Sequence, residues 1–96
     1  MKRIISTPYC NLSKDELKVN LLADDLKTRI IKYLYSGELG VAGDCTLKDP
    51  FTGEVFSRTS AQRIKDGFEW WSMDIYMFEK YNIALADEFL AIFQSG

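Results

Sequence analysis

Asp66-Gly67-Phe68-Glu69-Trp70-Trp71-Ser72-Met73-Asp74-Ile75-Tyr76-Met77-Phe78-Glu79-Lys80-Tyr81 is the stretch that decides how this chain folds. Asp-Gly is a strong two-residue hairpin signal, because the tight turn needs positive φ and these residues tolerate it. The arms are then Arg63-Ile64-Lys65 and Phe68-Glu69-Trp70-Trp71. In a strand, alternate residues share a face, so Phe68 and Trp70 lie on one side and Glu69 and Trp71 on the other. Ser72 can cap a helix, with Asp74 in its first turn against the helix dipole. Ile75 and Phe78 supply its inward side, with Met77 and Tyr81 as further candidates, and Asn82 its stop.

Upstream, the pattern changes from β to helical. Ser13 with Glu16 has capping-box spacing, and Leu12 with Leu17 has that of a hydrophobic staple. Leu22, Leu26, Ile30, Tyr33 and Leu34 recur at three- and four-residue steps, with Lys27, Arg29 and Lys32 off that face. Asp24 can open a second helix, so residues 13–36 read as one bent helix or two. Gly37 suits a left-handed helix stop. Ile4 and Ile5 can form a short strand before Pro8 breaks it. Gly40, Gly43 and Gly53 punctuate a β region, and Asp49-Pro50-Phe51-Thr52-Gly53 is a turn. Downstream, Phe89, Leu90 and Phe93 form the buried stripe of a last helix. The expectation is one α+β domain over residues 1–96, with an N-terminal helical segment, a small antiparallel sheet around the Asp66-Gly67 hairpin, and two C-terminal helices. The sheet's apolar face should pack on Leu26, Ile30 and Leu34.

Composition narrows the chemistry. Of the 96 residues 47% are hydrophobic, enough for a core, and none is His. Without His, Ser-His-Asp and Cys-His nucleophile activation and the usual neutral-pH base are excluded. Cys10 and Cys45 alone cannot complete a zinc site. They read as small buried thiols, reduced in a cytoplasmic protein, since the apolar run after Lys2-Arg3 stops at Ser6 and no stretch is long enough to span a bilayer. Asp24-Asp25 point different ways on a helix, and Asp44 with Asp49 lack a calcium-loop pattern. Gly37, Gly40 and Gly43 are not followed by the Lys-Ser or Lys-Thr of a phosphate loop. No catalytic, cofactor or metal site is expected, and the chain does not read as an enzyme.

Charge divides unevenly. Residues 1–37 carry seven basic and four acidic side chains; residues 38–96 carry five basic and ten acidic. The acidic part disfavours direct nucleic-acid contact and suits a basic protein partner. Asp44, Asp49, Glu54, Asp66 and Glu69, in turns or on the polar side of strands, are the expected charged rim of a partner surface. Trp71 is its expected aromatic anchor. No membrane contact is expected, and the oligomeric state stays open.

The stretch from Ile30 to Phe93 also resembles a class of small uncharacterised bacterial proteins. The shared features are a helix ending in Tyr33-Leu34-Tyr35-Ser36-Gly37, an Asp in a central turn at Asp49, and Asp66-Gly67 followed by Trp70 or Trp71. A Tyr-rich helix follows at Tyr76 to Tyr81, then Leu85-Ala86-Asp87-Glu88-Phe89, with Ala86 where the class has Pro. Such proteins are similar to immunity proteins of polymorphic or contact-dependent growth-inhibition toxins. The resemblance implies binding and neutralisation of a cognate toxin domain, with a nuclease as the expected target. The alternative is a phage or mobile-element protein that inhibits or regulates a host nucleoprotein complex.

Overall fold

A computed structural model describes residues 1–6, 9 and 12–94. Its elements are β1 (Lys2–Arg3), α1 (Asp24–Tyr35), β2 (Glu38–Lys48), β3 (Val55–Lys65), β4 (Phe68–Trp71), α2 (Ser72–Tyr81) and α3 (Asp87–Gln94). The domain is α+β, with one helix before the long strands and two after. The four strands lie in the order β1-β4-β3-β2. The sheet is mixed rather than wholly antiparallel: β1 runs parallel to β4, pairing Lys2 with Phe68 and Arg3 with Glu69. The N-terminal strand is thus Lys2–Arg3, and Ile4 is a fully buried core residue.

The Asp66-Gly67 hairpin forms as expected, both residues at positive φ (53° and 85°). It brings Lys65 opposite Phe68 and Arg63 opposite Trp70. On that face Phe68 and Trp70 join Ile30 and Leu34 of α1, Ile75, Met77 and Phe78 of α2, and Phe89 and Leu90 of α3 in one core. Leu26 packs at its margin. Trp70 is fully buried, and its indole N–H donates to the Leu34 carbonyl at 3.0 Å, a partner that buried indoles need. That bond also satisfies a carbonyl in the last turn of α1.

Two local readings change. Ser13 and Glu16 do pair, the Ser13 N–H donating to the Glu16 carboxylate at 3.0 Å. They open only a 3-10 turn at Lys14–Glu16, and the α-helix waits until Asp24. The chain between is drawn into extended pairing: Ala84 N–H donates to the Lys18 carbonyl, and Asn20 N–H to that of Asn82. On its other side, residues 84–86 bond to Ile4 and Ser6, so this linker between α2 and α3 has backbone partners on both flanks. Gly37 does not adopt the left-handed conformation; among the described glycines only Gly53 and Gly67 do. Its place needs glycine for another reason: an added Cβ would lie 2.7 Å from Cζ2 of Trp70.

Candidate partner-binding surface

β2 and β3 are long strands, but β4 is short, and β3 meets it only from Gln62 to Lys65. β2 and β3 therefore form a long ribbon that β4 backs only at its base, where residues 38–41 lie, and that is two-stranded beyond it. Ten of the eleven β2 residues are exposed; only Leu47 is buried. Exposure on consecutive residues means that both faces of this strand see solvent. Leu39 is 57% exposed, Val41 64%, and Val55 is exposed as well. Two bulges bend β2: Gly40-Val41 stand against Gln62 alone, and Cys45-Thr46 against Arg58 alone. Cys45 is an exposed ribbon thiol, not the small buried side chain expected, because no core lies beneath this part of the strand. Cys10 lies outside the described residues.

The ribbon's turn folds back onto α2. Its anchor is Asp49, which is 1% exposed and so is not on a rim. Oδ1 accepts the backbone N–H of Phe51 at 2.7 Å and of Thr52 at 3.0 Å, tying the turn. Oδ2 accepts the hydroxyls of Tyr76 at 2.6 Å and Tyr81 at 2.5 Å, tying the turn to the helix. Burial pushes the Asp49 carboxyl up, but the two phenols and two backbone donors outweigh it and hold the group well below the usual carboxylate range. The same bonds, with desolvation added, push Tyr76 and Tyr81 up to about 12. Sequence reasoning marks Asp49 only as a turn residue; no local pattern joins it to Tyr76 and Tyr81.

The other expected rim residues fall in separate places. Asp44 is exposed on the ribbon, opposite Thr59, and Glu54 is exposed in its turn. Glu69 and Trp71 share the sheet face away from the core, both half-buried, and Glu69 accepts Gln62 Nε2 at 2.9 Å. Asp66 is exposed at the β3–β4 turn, where it accepts the Tyr33 hydroxyl. Trp71 borders a cleft of about 490 Å³ with Arg3, Leu12, Pro50, Met73 and Asp74. Asp74 is a buried acid at the start of α2, and it accepts Arg3 Nη2, the Tyr9 hydroxyl and the Trp71 backbone N–H. The helix-capping acceptor is thus Asp74; Ser72 instead receives the Ala61 N–H at 3.0 Å and fastens β3 to α2.

A second cleft, of about 320 Å³, lies between the ribbon and α2, bordered by Tyr35, Phe56, Arg63, Tyr76 and Glu79. Phe56 and Tyr76 stack there at 3.7 Å, and Arg63 is occupied by the carbonyls of Tyr35 and Gly37. Among the described residues no three Asp, Glu, Cys or His converge as a metal site. None of their helices is long and apolar enough to cross a membrane. No protein-family model, curated protein or solved structure matches this chain.

Proposed function

We propose that this chain is a protein-binding module that neutralises a cognate bacterial toxin domain, acting as an immunity protein in the cytoplasm. The observation that supports the reading is the β2–β3 ribbon. It carries exposed Leu39, Val41 and Val55 beside exposed Glu38, Asp44 and Glu54. Apolar side chains without a core beneath them gain most from being covered by another molecule. Exposed Lys48 and Arg58 share the ribbon, so the acids act locally: beside the apolar positions they favour basic side chains on the partner. A nuclease domain is such a partner, because its own substrate is anionic.

The ribbon's second face, and Glu69 with Trp71 on the open side of the sheet, extend the surface toward the body of the domain. Direct nucleic-acid contact is not part of this reading. The test is co-expression with the product of the neighbouring reading frame, which this reading expects to carry a toxin domain. Protected growth and a complex isolated with that domain are the expected results. Unchanged killing with no complex formed would remove the reading.

A further inference from the structure

β2 is the terminal strand of the sheet. Among the described residues, its backbone pairs only with β3, so its outer edge is a row of unpaired donors and acceptors. Two of the usual protections, proline and lysine, are absent from the middle of this edge. From Leu39 to Leu47 the sequence is Leu-Gly-Val-Ala-Gly-Asp-Cys-Thr-Leu, with no Pro, no Lys and one charge. Bulges commonly turn an edge away from a partner strand; apart from the extra residue Phe56 on β3, the ribbon's bulges are the two on β2.

Their placement is symmetric. Gly40-Val41 and Cys45-Thr46 lie at equal spacing on either side of Gly43, which is also the midpoint of Glu38–Lys48. A two-fold axis through Gly43 therefore sets each bulge against its counterpart, so the two bends coincide. The same register is the one that overlaps all eleven residues of β2. It places Glu38 opposite Lys48 of a second copy, twice, and neither residue has an ion partner among the described residues of its own chain. Leu39 falls opposite Leu47, Val41 opposite Cys45, and Gly43 opposite Gly43, where an added Cβ would meet nothing within 4 Å in its own chain. Asp44 faces Ala42 and meets its symmetry mate only diagonally. A shift that centres the axis on Val41 would instead set Glu38 directly against Asp44, a like-charge pair.

We propose that β2 pairs antiparallel with β2 of a second copy about a two-fold axis through Gly43, joining two sheets into one. The contact is isologous, as closed dimers require. It uses the edge of the ribbon and leaves its faces open; Glu38 is shared with the second copy, while Asp44, Glu54 and the exposed apolar side chains stay available, so the pairing does not depend on toxin binding. The experiment needs only the purified chain. Light scattering and sedimentation over a dilution series should show mass rising from 11.0 kDa toward twice that value. Glu38→Lys or Lys48→Glu alone sets two like-charge pairs across the axis and should weaken the dimer roughly tenfold; the double exchange should restore it. A second readout fixes the register. In a Cys10→Ser background, Val41→Cys should form a disulfide with Cys45 of the second copy on mild oxidation, giving a covalent dimer on a non-reducing gel. Within one strand these positions are ~13 Å apart and cannot bridge. A monomer at every concentration overturns the proposal, as does a dimer that ignores both reversals and gives no Val41→Cys cross-link.

Discussion

The Asp49 carboxylate accepts four hydrogen bonds at 1% exposure, and its substitution separates charge from shape. Asp49→Asn keeps the size but turns an amide N–H₂ toward the two phenols. The expected cost is ~1–3 kcal/mol, measured as a lower urea midpoint at pH 7. The pH dependence follows from the direction of its shift. A carboxyl depressed in the folded state stabilises the fold above its ordinary pKa, and that stability is lost as pH falls toward its folded value. The wild type should lose stability progressively below the ordinary carboxyl value of 3.8, and Asp49→Asn should lack that part of the slope. The tyrosines act at the other end. Raised to about 12, Tyr76 and Tyr81 contribute stability that is complete below their ordinary pKa of 10.0 and fades as pH rises through 12. Ultraviolet titration should show these phenols ionising late in the wild type and earlier in Asp49→Asn. Sequence marks Asp49 as a turn residue, since Asp-Pro-Phe-Thr-Gly is local chemistry. The phenols that bury it stand 27 and 32 positions away, which no local pattern encodes.

At the scale of elements, legibility follows the distance over which a signal acts. The Asp66-Gly67 turn and the Phe68/Trp70 face depend on two-residue geometry and alternation, and both form. The stop at Asn82 also forms, at φ 55°. The Ser13 signal specifies a helix start, yet tertiary pairing of residues 18–20 with 82–84 takes the chain that would have continued it. Gly37 answers to space rather than to torsion: the Trp70 ring occupies the volume a side chain would need. Gly37→Ala should therefore destabilise by ~1–3 kcal/mol, because Cζ2 of a fully buried ring at 2.7 Å and Cβ of Arg63 at 3.0 Å cannot both yield. Gly67→Ala should cost about 1 kcal/mol for a different reason, φ of 85° with open space around it. Thermal or urea unfolding of the two variants measures both. Adding Trp70→Phe separates them, since shortening the ring should relieve Gly37→Ala and leave Gly67→Ala unchanged.

Across the whole molecule, the sequence divides by charge, but the ribbon itself is mixed, with exposed Lys48 and Arg58 among its exposed acids. The acidic ribbon residues Glu38, Asp44 and Glu54 are exposed, whereas Arg29, Lys32 and Lys65 border a shallow hollow beside Tyr33 and Phe93. Of the six residues expected to meet a partner, Asp49 is inside, while Asp44, Glu54 and Asp66 are exposed and Glu69 and Trp71 half-exposed. The exposed apolar positions Leu39 and Val41 were not among them, because Gly40 and Gly43 break the alternation that would mark one face of a strand. The consequence for binding is kinetic. Surface charges away from the centre of an interface act mainly on encounter, so Asp44→Lys with Glu54→Lys should slow association with the proposed toxin partner by roughly tenfold at low salt. The salt dependence of the rate should flatten, and dissociation should change little. Leu39→Ala with Val41→Ala should do the opposite, raising the dissociation rate while leaving association near the wild-type value. Both pairs lie where exposure is high and core contact absent, so unfolding midpoints should stay put and serve as the control. Association traces against the immobilised domain at low and moderate salt separate the two effects. If the ribbon pairs leave both rates unchanged while reversal of Arg29 and Lys32 abolishes binding, the basic hollow carries the contact and the partner is anionic.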